Sequence, residues 1–199
     1  MMSIWTTLLA GLSYFLGLFV YWLSIIFVLP FKNLEILWIL IPIWVNFIFA
    51  DFFQEKKGTS FGNAIANGAV MLWVGVDWIR FLVRNHAGFD WVVILKFFLC
   101  LVVVVWGFLV IYEGIKRKKI IHFIGRIRVV SYVMMVLSPL IYNLTNVTFK
   151  YIAVIILFSP VFYLFFELID KYAPTPRIYE EDEGRSNGPG GFGGLGGLK

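Results

Sequence analysis

Six apolar runs fill most of this 199-residue chain, at 4–29, 34–53, 61–83, 91–112, 129–144 and 147–169. About 20 apolar residues in a helix cross the hydrocarbon core of a bilayer, so each run but the fifth has the full length of a crossing. Water cannot accommodate this pattern. Charged residues make up 15% of the chain, against ~25% in an ordinary soluble domain. Mean hydropathy is +0.85. A soluble enzyme and a nucleic-acid-binding domain are therefore excluded. Inside lipid every backbone polar group must be satisfied within the protein, which favours helix even for the β-branched stretch 102–105. The expected fold is an all-α integral membrane protein. It consists of a six-transmembrane-helix bundle over 1–170 and a disordered tail over 171–199, where Glu180, Glu181, Asp182 and Glu183 precede a glycine-rich end.

The first run has no basic lead and stops at Pro30, so it reads as a retained span and not as a cleaved signal. Six crossings place twelve basic residues on one side: Lys56, Lys57, Lys116, Arg117, Lys118, Lys119, Arg126, Arg128, Lys171, Arg177, Arg185 and Lys199. The other side receives five: Lys32, Arg80, Arg84, Lys96 and Lys150. Basic residues concentrate on the cytoplasmic side of membrane proteins, so both termini are expected there. Within 116–128, Ile120, Phe123, Ile124 and Ile127 share one helical face, and Lys119, His122 and Arg126 the opposite one. This predicts an amphipathic helix at the membrane surface. Its Lys116, Arg117, Lys118, Lys119, Arg126 and Arg128 would contact anionic lipid headgroups, with Arg128 snorkelling from a short fifth span.

Charge at mid-bilayer costs roughly 2.5–3.5 kcal/mol per residue, so polar groups inside a span need a reason. The third run has the most of them. Asn63, Asn67 and Asp77 fall on one helical face, and Arg80 lies one turn beyond Asp77. Lys96 enters the fourth span at comparable depth, so Asp77, Arg80 and Lys96 are expected to cluster. A second face carries Ala64, Gly68 and Gly75, a small-residue seam that admits another helix closely. Span one offers a similar face in Ala10, Gly11, Ser13 and Gly17. Asn46, Asp51 and Glu167 form another polar group, and the last two read as interfacial residues at run ends. Pro42, Pro139 and Pro160 read as ordinary kinks. The sequons at Asn143 and Asn146 read as unmodified turn residues.

Enzyme signatures are missing. The two histidines, His86 and His122, are expected on opposite sides and cannot share a metal. Cys100 is single and reads as a buried hydrophobe. Val74-Gly75-Val76-Asp77 departs from the Gly-x-Gly-Asp of intramembrane aspartyl proteases at its first glycine, and no partner aspartate motif accompanies it. No metal or cofactor is expected. The expected partners are the bilayer, its anionic headgroups, and a membrane protein or a second copy of the chain. The reading that follows is a non-catalytic accessory, scaffold or assembly component. A small transporter or channel using Asn63, Asn67 and Asp77 is the alternative, and an intramembrane enzyme comes third.

Overall fold

The computed structural model describes residues 4–53, 60–85, 88 and 90–172. It divides into two units, Met1–Leu164 and Phe165–Lys199. The acidic and glycine-rich tail, His86 and the Lys56–Lys57 pair lie outside the described residues. In order, the elements are α1 (Ile4–Phe27), a 3-10 turn (Leu29–Lys32), α2 (Leu34–Phe53), α3 (Phe61–Asn85) and α4 (Trp91–Ile115). They are followed by α5 (Ile121–Ile124), α6 (Ile127–Ile141), α7 (Phe149–Leu157) and α8 (Ser159–Tyr172). No strand occurs among the described residues. Five stretches are long and apolar enough to cross a membrane: Trp5–Phe27, Leu34–Phe52, Phe61–Asn85, Trp91–Ile115 and Phe149–Ile169. This is the pattern of a multi-pass membrane protein.

Local chemistry sets the helix ends. Pro30 sits in the 3-10 turn, and Asn33 caps α2 by accepting from Glu35 N at 2.9 Å. Ser60 accepts from Asn63 N at 3.1 Å, and Asp90 from Val93 N at 2.8 Å, which closes the first turns of α3 and α4. Asn143 takes a left-handed conformation, with φ of 59°, just past α6. Thr148 then caps α7 through Tyr151 N at 3.1 Å. Both sequons are thus built into one turn. Pro160 stands where α7 gives way to α8.

The first unit is organised around α6. Of its 15 residues, 12 are buried, against α2 and α3 above all. At 1.5 Å per residue it is only about 22 Å long. Aromatic rings line its flank. Phe162 stacks near Phe47 and Tyr132, with centroids 5.7 and 4.9 Å away, and Phe158 meets Trp22 at 5.6 Å. Trp22 Nε1 donates to Tyr132 Oη at 3.1 Å, and that hydroxyl donates to Ile155 O at 2.5 Å. One tyrosine on α6 therefore ties α1 to α7.

Two features differ from the sequence expectation. The segment 116–128 is not one amphipathic helix. Its only helical turn before α6 is the four-residue α5, and Arg117 reverses the chain with φ of 53°. The inward residues are Ile121 and Ile127, while Ile120 and Phe123 are exposed. Second, residues 5–17 of α1 are exposed on every side, and a side chain added at Gly11 or Gly17 would meet nothing within 4 Å. That small-residue face does not pack within the chain.

Unit two is described over residues 165–172, the end of α8. Phe165 and Phe166 meet edge to face at 5.2 Å.

Candidate functional site

The polar residues of the first unit form two layers at opposite ends of α6. The first layer gathers around Asp77 of α3, which is 8% exposed. Arg80, one turn on, donates to Asp77 Oδ1 through Nε at 2.9 Å and Nη2 at 2.7 Å. Tyr142, just beyond α6, donates to the other oxygen, Oδ2, at 2.5 Å. The Tyr142 ring lies 4.2 Å from that of Phe81, which positions its hydroxyl. Glu35 at the start of α2 accepts from Arg84 and stands 3.9 Å from Arg80. A carboxylate, two guanidiniums and a second carboxylate thus join α2, α3 and the end of α6.

Lys96 does not complete this cluster in the expected way. It is buried, and its ammonium donates to Asn143 Oδ1. No ion pair joins it to Asp77 among the described residues. The link is indirect: Tyr142 serves Asp77, and the next residue serves Lys96. Trp78 carries the contact deeper, donating from Nε1 to Ser138 Oγ at 3.2 Å, and Ser138 donates in turn to Met134 O at 2.7 Å.

At the other end of α6 lies an ion pair that the sequence reading placed in water. Arg128 Nε donates to Asp51 Oδ1 at 2.6 Å, and the two side chains are 1% and 2% exposed. Arg128 therefore does not reach headgroups. It is the residue that breaks the amphipathic pattern, and the break exists because the side chain turns inward to α2. Its guanidinium also lies 5.5 Å from the Tyr163 ring, and that of Arg126 lies 5.1 Å from the same ring. Arg126 donates to Tyr163 Oη as well.

Asn67 lies in this second layer. Its Nδ2 donates to Gly125 O at 2.8 Å, and Trp106 Nε1 donates to Ile124 O at 3.1 Å. These two bonds hold the α5 turn onto α3 and α4. Gly125 is required here, because a Cβ on it would come within 2.9 Å of Ala64 Cβ and Val110 Cγ1. Asn67→Leu removes the donor and leaves the Gly125 carbonyl buried. It is expected to cost about 1–3 kcal/mol, read as an earlier melt in detergent and faster proteolysis at 116–126. A melt matching the parent would show that the turn holds itself.

The remaining candidates are more exposed. Asn63 is partly covered at the entry to α3. Lys116 donates to Tyr112 Oη, and Arg117 and Lys119 are exposed. Lys118 Nζ sits 2.8 Å from Glu113 Oε2, and that hydrogen bond raises the lysine above its usual range. Asn46 borders a shallow cleft with Pro42, Val70 and Trp73. Glu167 belongs to the second unit.

Ala64, Gly68 and Gly75 line α3 where α4 lies against it. A Cβ on Gly68 would meet Gly107 O at 3.0 Å, and one on Gly75 would meet Val104 Cγ2 at 2.5 Å. Gly107 and Gly114 supply the facing half of the seam, which the sequence reading missed. Their seven-residue spacing was the available signal.

Among the described residues no group of three or more His, Cys, Asp or Glu could hold a metal. Cys100 is buried in the α3–α4 seam. The arrangement supplies ion pairs and hydrogen-bonded clamps. Comparison with protein-family profiles, curated proteins and solved structures finds no match to this chain.

Proposed function

We propose that this chain is a non-catalytic membrane component, an accessory, scaffold or assembly subunit, whose buried polar groups hold its helices in register. One observation carries the reading: both oxygens of Asp77 are engaged, Oδ1 by Arg80 and Oδ2 by Tyr142. A carboxylate held this way is spent: the half-exposed Arg80 fixes it within α3, and the buried Tyr142 hydroxyl joins it to the end of α6, which sets the register of the two helices. The exposed length of α1 supports the reading as well, because it offers apolar surface to another membrane protein.

In this proposal α6 is a sixth crossing, shorter than the ~30 Å core and shielded by its neighbours. Both termini are cytoplasmic, as the twelve-to-five division of basic residues requires. A reporter fused after Lys199 is expected to read cytoplasmic, and an external readout would remove the sixth crossing.

The competing reading is transport along the Asn63, Asn67 and Asp77 face of α3. The two separate in one experiment. Reconstituted in liposomes, the parent is expected to pass protons and potassium no faster than empty vesicles, and Asp77→Asn is expected to match it. Mild-detergent extraction from the native membrane is expected to bring a stoichiometric partner. Flux by the parent that Asp77→Asn abolishes would establish transport instead.

A further inference from the structure

Two polar groups at mid-membrane belong to neither layer around α6. Asn46 lies about 4 Å past the middle of α2 at the helical rise, and about 10 Å short of Phe53 at its end. Trp73 is the middle residue of α3. Both line one cleft of about 370 Å³, whose other walls, Ile39, Pro42, Val70 and Val74 among them, are apolar. Asn46 is partly covered and Trp73 is 67% exposed. Neither the amide nor the indole N–H meets a hydrogen-bond partner among the described residues. The indoles of Trp22, Trp78 and Trp106, by contrast, each donate to an oxygen within the chain.

Acyl chains offer no donor or acceptor, and the asparagine side chain is too short to reach headgroups from this depth. A polar group so placed is satisfied by protein, and asparagine amides hydrogen-bond across membrane helices. The chemistry of the amide narrows the choice of protein. It carries two donor hydrogens and an acceptor oxygen with two lone pairs, so it is complementary to itself. A two-fold axis brings the same patch of two identical chains together. We propose that two copies of this chain pair through the α2–α3 cleft, with the two Asn46 amides hydrogen-bonded to one another. The second lone pair of each Oδ1 is then available to an indole N–H of Trp73. The flank of the cleft admits the approach, since Ala66 and Ala69 present small side chains on the exposed face of α3. This pairing holds whether the chain is a scaffold or a transporter.

The test uses the full chain, purified alone, with a donor or an acceptor fluorophore fused after Lys199 and the two forms reconstituted together in phosphatidylcholine vesicles. The parent is expected to show energy transfer between copies that saturates at a dimer. Asn46→Leu is expected to weaken dimerisation about thirtyfold, the loss of two interhelical bonds of ~1 kcal/mol each. At dilutions where both proteins are monomeric it is expected to melt no earlier than the parent, because the amide has no bond to lose within the chain. Asn46→Gln keeps the amide and is expected to retain most of the transfer. Ala69→Trp covers the cleft and is expected to abolish it, while Leu101→Trp, on the exposed face of α4, leaves it unchanged. A parent without transfer at any dilution would overturn the proposal and give the cleft to a different polypeptide. Equal transfer from Asn46→Leu and the parent would overturn it as well. So would an earlier melt of monomeric Asn46→Leu, which would assign the amide to the fold of the single chain.

Discussion

Arg128→Met is expected to lower the stability of the protein by about 3–5 kcal/mol, the cost of removing one partner of a buried ion pair. The geometry puts this pair at the expensive end of that range. Both side chains are essentially enclosed, at 1% and 2% exposure, so no water can take the place of the lost guanidinium. Asp51→Leu fails for the same reason, because it strands the arginine. The double replacement, Asp51→Leu with Arg128→Met, removes both charges together and is expected to recover most of the loss. A buried pair exchanged for packed apolar groups is often neutral or stabilising. Arg80→Met provides the contrast. Its guanidinium side chain is 48% exposed, and a pair of that kind contributes about 0–1 kcal/mol. Melting of the four variants in one detergent decides the matter. If Arg128→Met melts with the parent, the Asp51 end of α6 is wet, and the bundle is held mainly by its apolar contacts.

The difference between these two arginines explains what could be read in advance. Arg80 lies three residues from Asp77, so a helical wheel finds the pair. Arg128 lies 77 residues from Asp51, and each stands at the end of an apolar run, where an interfacial position is the natural reading. Nothing local marks either as buried. The clue was the failure of Arg128 to join the polar face of its own segment. Tyr142 and Asn143 were hidden differently. Tyr142 falls inside the fifth apolar run and Asn143 reads as a turn residue, yet they complete Asp77 and Lys96. The apolar runs themselves were legible, because length and hydropathy are additive along the chain and need no partner to be known. The α5 segment was not legible, since its conformation is imposed from outside by Asn67 and Trp106 acting on its carbonyls. A pattern of charges on a wheel cannot report hydrogen bonds that arrive from two other helices.

Gly107→Leu is expected to be the most damaging change in the apolar part of the bundle. Lipid tails are as apolar as leucine, so α3 and α4 gain little from hiding hydrophobic surface from one another, and close packing must hold them together. The seam allows that packing through paired small residues. A Cβ on Gly107 would come within 2.9 Å of Gly68 O and 3.0 Å of Leu72 Cδ2. The leucine tip can swing aside, but the carbonyl is part of the α3 backbone and cannot move without that helix. Leucine at this position therefore forces the two helices apart along a contact that runs from Ala64 to Gly75. Overpacking costs about 1–3 kcal/mol, and this case belongs at or above the upper limit because backbone meets backbone. Separation of α3 from α4 also pulls Trp106 away from Ile124 O, so the α5 turn is expected to become protease-sensitive in the same variant. Gly11→Leu is the control. It adds the same side chain to a membrane-spanning helix where nothing lies within 4 Å, and it is expected to leave the melt within about 0.5 kcal/mol of the parent. Equal melting of Gly107→Leu and Gly11→Leu would mean that the α3–α4 contact is looser than these distances state, and that the small residues of α3 are free to receive a helix from another chain.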